Sequence, residues 1–292
     1  MTALRLLPFI VLAAASLALA QAPFSGDSAY KLTAEVVALG PRPPGSAAAR
    51  KMHALIVSRL KSWGWQVEED AFTASTPIGR LPMRNIIARL PGQPGGRILV
   101  VSGHTDTKKL AINFAGANDA GSSTGFLLEL ARVFRNAKLK HDLVLVFFDG
   151  EEAIRDWSDK DSLYGSRHLA ARWYKDGTIA RINALINVDM IGDRDLVLLK
   201  ESFSSEPLQR LVWSVARELG YAHHFGNQGW AVEDDHTPFL RLGVRAINLI
   251  DFDYGPNNSW WHTDEDTMDK LSPKSFEVVG RVVAETLKRL DR

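Results

Sequence analysis

Two adjacent glutamates follow a long apolar stretch of the chain, and they are the residues best suited to do chemistry. Residues Leu143–Phe148 are apolar throughout, and Asp149, Gly150, Glu151 and Glu152 come directly after them. Two neighbouring carboxylates at the end of a buried strand are costly unless a cation or a reaction uses their charge. Neighbouring side chains of an extended segment point different ways, so one glutamate could bind a metal while the other moves protons.

Histidine and aspartate side chains elsewhere in the chain supply further candidate metal ligands. The candidates are Asp119, Glu152 and His262, with His104 and Asp189 close by. Histidine nitrogen and carboxylate oxygen suit zinc, and the chain has no cysteine. No two of these residues share a short fixed spacing, so the site must be assembled from separate loops. Each residue taken alone is better explained as a turn cap or a hydrogen-bonded polar group, but the joint pattern favours a metal site.

The segments around these residues predict the fold that must position them. Apolar and β-branched runs alternate with runs of helical spacing, which predicts the α/β class. We expect a single domain with a mixed, mostly parallel central sheet flanked by helices. Ligands of such sheets bind beyond the carboxyl ends of strands, where the candidate residues fall. The predicted strands are Trp65–Phe72, Asn85–Leu90, Ile98–Ser102, Leu143–Phe148, Ala184–Val188, Leu196–Leu199 and Arg245–Ile250. The predicted helices are Tyr30–Leu39, a helix capped by Ser46 and ending at Trp63, Ser122–Phe134, Asp161–Tyr174, Glu206–Leu219, a short helix ending at Leu242, and Lys274–Leu290.

Composition excludes several classes of function. The 292 residues are 46% hydrophobic, which suits one large α/β domain, and no linker separates two domains. The formal net charge is +1 and no basic patch stands out, so we expect no nucleic-acid partner. The absence of cysteine excludes disulfides and thiolate chemistry.

The first twenty residues have the pattern of a secretory leader. Met1–Ala20 contains the basic Arg5, the apolar run Leu6–Leu17 and the small-x-small sequence Ala18-Leu19-Ala20. We therefore expect a signal peptide at residues 1–20, a catalytic domain at residues 21–292, and a secreted or periplasmic enzyme. The apolar run is shorter than the ~20 residues of a membrane-spanning helix, so no span is expected. An uncleaved anchor or a core helix is the alternative.

Three tryptophans stand in segments where core residues are unusual. Trp157 lies in an acidic stretch, and Trp260 and Trp261 end a stretch rich in glycine, proline and asparagine. They could wall a substrate pocket, whereas tryptophans more often fill a core.

Two further polar segments follow the predicted strand Ile98–Ser102. Asp106 could orient the imidazole of His104, or it could form a turn after the strand. The pair Lys108-Lys109 is expected on the solvated surface. Neither segment alone predicts a functional role.

Longer motifs in the same region carry a resemblance to a known family. They are the runs Asp149–Ala153, Asp161–Ala170 and Glu233–Leu240, together with Trp157-Ser158 and Trp261-His262. On these residues most of the chain resembles the animal-type glutaminyl-peptide cyclotransferases, or glutaminyl cyclases. That family is related to the zinc-dependent aminopeptidases, so the resemblance implies a zinc aminopeptidase-like α/β hydrolase-type sandwich.

The resemblance implies a reaction and a role for each site residue. These enzymes convert the N-terminal glutamine of peptides and proteins to pyroglutamate and release ammonia. The expected partners are therefore peptides and proteins with an N-terminal glutamine. One Zn²⁺ is the expected cofactor, and the enzyme is expected to be a monomer. The resemblance implies that Asp119, Glu152 and His262 are the zinc ligands. It implies that Glu151 carries the proton, beside a network of the Asp189 and Asp234 carboxyl groups. It also implies that Trp157 and Trp261 line the substrate pocket.

Two rival functions follow from the same residues. His104 and Asp189 stand where the aminopeptidases bind a second zinc, and the segment from His262 to Thr267 resembles the ending of those enzymes. The first rival is therefore a secreted two-zinc aminopeptidase that hydrolyses N-terminal residues, with two Zn²⁺ ions. The second rival is a non-catalytic binding module on the same fold, which would require loss of the base or of a ligand. Both are intact in the sequence.

Overall fold

A six-stranded mixed sheet forms the centre of residues 23–292, which are the residues that the computed structural model describes. The expected leader Met1–Ala20 lies outside them. The strands lie in the order β1-β2-β4-β3-β5-β6; the β3–β4, β3–β5 and β5–β6 pairs are parallel, and the β1–β2 and β2–β4 pairs are antiparallel. Their bounds are β1 (Gln66–Thr76), β2 (Gly79–Leu90), β3 (Ile98–His104), β4 (Asp142–Phe148), β5 (Ile182–Asp189) and β6 (Ala246–Ile250).

Helices cover both faces of the sheet, which confirms the predicted fold class. Along β4, Leu145 and Phe147 pack into one core cluster, whereas Val144 and Val146 pack into the other, as expected for a strand covered on both sides. Helices α1, α2, α3, α5 and α7 supply residues to the first cluster, and α4 and α6 supply the second. Their bounds are α1 (Gly26–Val37), α2 (Ala47–Ser62), α3 (Ser123–Phe134), α4 (Tyr164–Lys175), α5 (Glu206–Glu218), α6 (Thr237–Leu240) and α7 (Pro273–Leu290).

Short turns connect several of these elements. A single π-helical turn spans Ala117–Ser122, and 3₁₀ turns span Thr178–Arg181, Ala222–His224, Pro256–Asn258 and Met268–Lys270. Within residues 23–292, no helix combines the length and the apolar character needed to cross a membrane.

Helix α2 shows how local sequence sets an element's end. The side chain of Ser46 accepts a hydrogen bond from the backbone N–H of Ala49 at 3.0 Å, so the predicted N-cap is confirmed. Strands β1 and β2, by contrast, are longer than predicted. They pair as one antiparallel hairpin from Gln66 opposite Arg89 to Thr76 opposite Gly79. Much of β1 is solvent-exposed, so its polar residues concealed the full length of the strand in the sequence.

The elements predicted at Leu196–Leu199 and from Asp161 also differ in the structure. The strand predicted at Leu196–Leu199 is wrong, because this segment makes only an isolated bridge between Leu198 and Phe225. Leu196 and Leu198 are buried in the core. Their apolar character therefore reflects packing of a loop against the core, without the hydrogen bonding of a β-strand. The helix predicted from Asp161 starts at Tyr164, since the Asp161 carboxylate accepts three backbone N–H groups of the preceding loop.

Candidate metal and active site

The candidate ligands converge beyond the carboxyl ends of the parallel strands. His104 and Asp189 are the last residues of β3 and β5, and the two glutamates follow β4. Each residue of the set Asp119, Glu152 and His262 offers one ligand atom, and these atoms lie within 4.8 Å of one another. The set His104, Asp119 and Asp189 does the same.

Asp119 belongs to both sets and lies between the two histidines. Its Oδ1 is 3.2 Å from His104 Nε2, and its Oδ2 is 3.2 Å from His262 Nε2. On one side, His262 Nε2 is 2.9 Å from Glu152 Oε1; on the other, His104 Nε2 is 3.1 Å from Asp189 Oδ1. One carboxylate therefore joins two adjacent donor sets, each built from a histidine and carboxylates.

The buried carboxylate of Asp106 holds the turn that carries the two glutamates. Asp106 accepts the backbone N–H groups of Gly150, Glu151 and Glu152 at 2.8, 3.1 and 3.3 Å. Its distance to His104 Nδ1 is 3.8 Å, beyond hydrogen-bond range. The function of Asp106 is therefore to anchor the acidic turn, which neither sequence interpretation had included.

A second buried carboxylate, Asp266, holds the loop that carries Asp119. It accepts the backbone N–H groups of Asn118 and Asp119 at 2.8 and 3.1 Å and the hydroxyl of Tyr254 at 2.8 Å. Asp266 and Tyr254 are both fully buried. Sequence reasoning missed this support, because Asp266 lies more than 140 positions from Asn118 and Asp119 and shares no local pattern with them.

A cavity of about 410 Å³ opens onto this site. It contains the predicted proton carrier Glu151 beside the donor set. Trp157 and Trp261 line it, whereas Trp260 packs edge-on against the buried Tyr254. The lining residues are Lys108, Asp119, Glu151, Glu152, Trp157, Asp189, Ala231, Val232, Glu233, Asp234, Ile250, Phe252, Trp261 and His262.

Comparison with known proteins assigns the family. Residues 85–287 match peptidase family M28. The glutaminyl-peptide cyclotransferase of Drosophila melanogaster is 35% identical over 270 residues, which cover 83% of this chain and 75% of that protein. The chain belongs to the glutaminyl-peptide cyclotransferases of family M28.

Two solved structures share the fold over nearly their whole length. The glutaminyl cyclase from an Acidobacteriales bacterium has a TM-score of 0.89 and 40% identity, covering 92% of this chain and 96% of that one. A Zn-dependent exopeptidase from Parabacteroides distasonis has a TM-score of 0.81 and 28% identity, covering 94% and 100%. Both kinds of relative therefore share the architecture that brings the donor sets together here.

The donor chemistry of this M28 site fits zinc. Histidine nitrogens and carboxylate oxygens are zinc ligands in open catalytic sites. Burial lowers the pKa of His262, but hydrogen bonds and charge attraction from Asp119 and Glu152 raise it to about 9. Burial likewise lowers the pKa of His104, but Asp189, Asp106 and Asp119 raise it well above its ordinary value. The carboxylates thus create a field that strongly favours a positive charge between them.

Two carboxyl groups of the pocket, those of Glu151 and Asp189, have raised pKa values. Burial is the main cause for Glu151, whose pKa is well above its ordinary value; His104 opposes the rise, and the charges of Asp234 and Glu152 add to it. Burial also raises the pKa of Asp189 to about 7, against the opposing effect of His104. Several carboxylates in one buried pocket cannot all ionise easily.

Lys108 was expected on the surface, and that expectation was wrong. Its Nζ lies 3.5 Å from Glu152 Oε2 and donates to the carbonyl of Ala153 at 3.3 Å. The buried carboxylate provides a reason for the amine to turn inward. On the other wall, Asp234 accepts a hydrogen bond from Asn248 at 2.7 Å. Neither contact has a sequence signal, because each joins residues from separate segments of the chain.

Proposed function

We propose that this protein is a glutaminyl-peptide cyclotransferase that converts the N-terminal glutamine of peptides and proteins to pyroglutamate and releases ammonia. The observation that carries the proposal is that Glu151 and the donor set Asp119, Glu152 and His262 face one cavity. The similarity to named glutaminyl cyclases supports the same reaction.

Asp119, Glu152 and His262 would hold one zinc ion in this proposal. When bound, zinc supplies a Lewis acid that polarises a carbonyl oxygen. The loop supports at Asp106 and Asp266 keep Glu152 and Asp119 in place through their backbone N–H groups. This arrangement leaves Glu151 outside the donor set and available for proton transfer.

Glu151 carries the proton in the proposed reaction. The substrate's α-amino nitrogen bonds to the γ-carbonyl carbon, and the bond from that carbon to the amide nitrogen breaks. One proton passes from the α-amino nitrogen through Glu151 to the departing nitrogen, which leaves as ammonia. Because the nucleophile belongs to the substrate itself, little entropy is lost in bringing it to the carbonyl. The raised pKa of Glu151 suits a group that must both accept and donate.

Asp189, Asp234 and the tryptophans have supporting roles. The charge of Asp234 contributes to the raised pKa values of both Glu151 and Asp189. Trp157 and Trp261 wall the pocket and limit the water that would compete as a nucleophile. The indole N–H of Trp157 donates to Glu233 at 3.4 Å, which supports its position at the entrance.

Mass measurement on a glutamine-initiated peptide tests the proposal. Incubation with purified enzyme should lower the peptide mass by roughly 17 Da, the mass of ammonia, and release ammonia in equal amount. Glu151→Gln should lower kcat at least about 10²-fold, because it removes the proton carrier. A Glu151→Gln variant with full activity would contradict the assigned mechanism.

The donor set His104, Asp119 and Asp189 favours a second candidate, the two-zinc aminopeptidase. The same incubation separates the two functions, since a peptidase releases a free amino acid and leaves a peptide shorter by one residue. Zinc content gives an independent measure: one tightly bound ion per chain supports the cyclase, and two support the peptidase. Peptides that bind but undergo neither change would support a non-catalytic module.

We also propose that the enzyme is exported after removal of residues 1–20 and acts as a monomer outside the cytoplasm. The pattern of Met1–Ala20 supports export. Mass spectrometry of the protein from cell fractions should find a chain that begins at residue 21, as glutamine or pyroglutamate, and its mass in solution should equal that of one mature chain.

A further inference from the structure

The residue expected first after removal of the leader is itself a glutamine. The leader pattern ends at Ala20, so removal of residues 1–20 leaves Gln21 at the N-terminus, followed by Ala22 and Pro23. Pro23 is the first described residue, and it is exposed. The exported chain therefore presents the chemical group that the proposed reaction consumes.

The chain enters the core immediately after this exposed residue. Phe24 is only 4% exposed, and its ring packs on Phe126 with 5.2 Å between centroids. Gly280 lies so close to the ring of Phe24 that a Cβ there would come within 2.2 Å of it. The backbone N–H of Ser25, which caps α1, donates to the buried Glu129 at 3.0 Å. The N-terminal segment is thus held in place from Phe24 onward.

Helix α1 separates this terminus from the cavity of its own chain. Its last residue, Val37, packs beside Gly121, which lies two positions after the candidate ligand Asp119. Its first residue lies at the other end of the helix, which has 12 residues and is therefore about 18 Å long. The three residues before Phe24 span at most about 11 Å. Gln21 therefore cannot reach the cavity of its own chain.

A second copy of the chain offers a cavity that this terminus can enter. The cavity opens beside Trp157, which is 43% exposed. Residues 21–25 carry no charged side chain, so the terminus brings no carboxylate into the acidic cavity. Its α-amino group is positively charged, and the carboxylates of Glu151 and Asp234 attract it.

We propose that the enzyme cyclises the N-terminal glutamine of a second copy of its own chain, so that the mature protein carries pyroglutamate at residue 21. This inference rests on the proposed function and on removal of the leader. The α-amino nitrogen of Gln21 bonds to the Cδ of the same residue, and the bond from Cδ to the side-chain nitrogen breaks. Glu151 of the acting copy passes one proton between the two nitrogens, and ammonia leaves. The terminus thereby loses the positive charge of its α-amine.

The variant Glu151→Gln supplies the substrate for the test, because loss of the proton carrier slows modification of its own terminus. It is expressed with its leader in a host that has no glutaminyl cyclase, and the chains that still begin with glutamine are followed. A trace of wild-type enzyme should lower the mass of the N-terminal tryptic peptide Gln21–Lys31 by roughly 17 Da, the mass of ammonia. This conversion should be at least about 10²-fold faster than in buffer alone. The wild type should carry pyroglutamate when purified.

Two controls accompany this experiment. The peptide amide Gln-Ala-Pro-Phe has the same terminus without the folded protein. A Gln21→Asn substitution in the Glu151→Gln chain shortens the side chain by one methylene. The corresponding ring would have four members instead of five, so wild-type enzyme should leave this terminus unchanged.

Three results would overturn self-modification and leave the cyclase proposal intact. The peptide could lose ammonia while the Glu151→Gln chain keeps its glutamine, the purified wild type could retain Gln21 unmodified, or the mature chain could begin at another residue. If neither the peptide nor the chain loses ammonia, both proposals are wrong. Removal of Gln21 as a free amino acid would support the aminopeptidase and also overturn both.

Discussion

The carboxylate of Asp106 lies behind Glu151 and accepts its backbone N–H at 3.1 Å. The backbone N–H groups of Gly150 and Glu152 donate to the same carboxylate. Asp106, which follows β3, therefore fixes the turn that follows β4. Gly150 has a φ of +77°, a conformation that other residues rarely adopt. The positions of the two glutamates therefore depend on one buried acceptor and one glycine, both outside the candidate ligand sets.

Asp106→Asn tests this dependence. An amide has one acceptor oxygen, so the substitution leaves at least one buried N–H without its partner and places a donor against the others. We expect a loss of about 3 kcal/mol in the free energy of unfolding. We also expect a roughly 10²-fold fall in kcat/KM, because Glu151 and Glu152 move. Denaturant unfolding and ammonia release measure the two effects.

Asp70→Asn is the matched control for that variant. Asp70 is also a buried carboxylate with several donors, among them Asn85 and Arg172, but it lies in the β1–β2 hairpin. Its variant should lose stability while the folded fraction keeps its kcat/KM. An Asp106→Asn enzyme that behaves like the Asp70→Asn enzyme would show that Asp106 stabilises the fold without positioning the glutamates.

Tyr254→Phe tests the support of the Asp119 loop. The hydroxyl of Tyr254 donates to Asp266 at 2.8 Å, and Asp266 in turn accepts the N–H of Asp119. Loss of such an outer hydrogen bond typically costs 10–100-fold in metal affinity, and we expect a loss in that range for zinc. Competition with a chelator of known affinity measures it.

Tyr164→Phe is the control, since the Tyr164 hydroxyl makes an equivalent buried hydrogen bond to Asp161 at 2.7 Å. That contact lies outside both donor sets, so zinc affinity should stay at its wild-type value. Equal losses in the two variants would argue against a specific role for Tyr254.

Much of this architecture follows from local sequence, and the rest depends on distant contacts. Buried strands were predictable because their apolar runs are continuous, and this placed His104, Glu151 and Asp189 at one edge of the sheet. The supporting roles of Asp106 and Asp266 could not be predicted, because in the sequence an aspartate that accepts distant N–H groups looks like any other loop aspartate. Phe252 escaped notice for a similar reason, as only packing brings it into the cavity.

Zinc removal should cost both activity and stability. The field of Asp119 and Glu152 favours a cation, so chelation should lower the thermal midpoint, and added zinc should restore it. A ligand present at about 100 times its Kd stabilises the folded state by roughly 2.7 kcal/mol. Differential scanning calorimetry with and without a chelator measures the shift in the thermal midpoint.

Two Glu→Gln variants test whether the stabilisation by zinc depends on Glu152. Glu152 pairs with His262 at 2.9 Å, and Glu201 pairs with His236 at 3.0 Å in a buried contact outside the donor sets. Glu152→Gln should abolish most of the response to zinc, whereas Glu201→Gln should retain it on a less stable background. A full zinc response in Glu152→Gln would remove Glu152 from the ligand set.

Asp251 should make stability depend on pH in a region away from the donor sets. Burial, with repulsion from Asp193 and Asp253, raises its pKa to about 8, against the hydrogen bond that it accepts from the N–H of Val197. In the unfolded chain the pKa is near 4, so between about pH 4 and pH 8 only the folded state holds this proton. Its contribution to the free energy of unfolding therefore falls as pH rises through that window.

Asp251→Asn removes this titration and keeps the side chain's size. An asparagine oxygen can still accept the Val197 N–H, which is 2.8 Å from the Asp251 carboxylate. Relative to the wild type, the variant should gain on the order of 2 kcal/mol between pH 5 and pH 8. Denaturant unfolding at several pH values measures the difference, and Asp176→Asn, at an exposed position, should give a constant offset over this range. A constant offset for Asp251→Asn as well would mean that Asp251 is already ionised in the folded protein at pH 5.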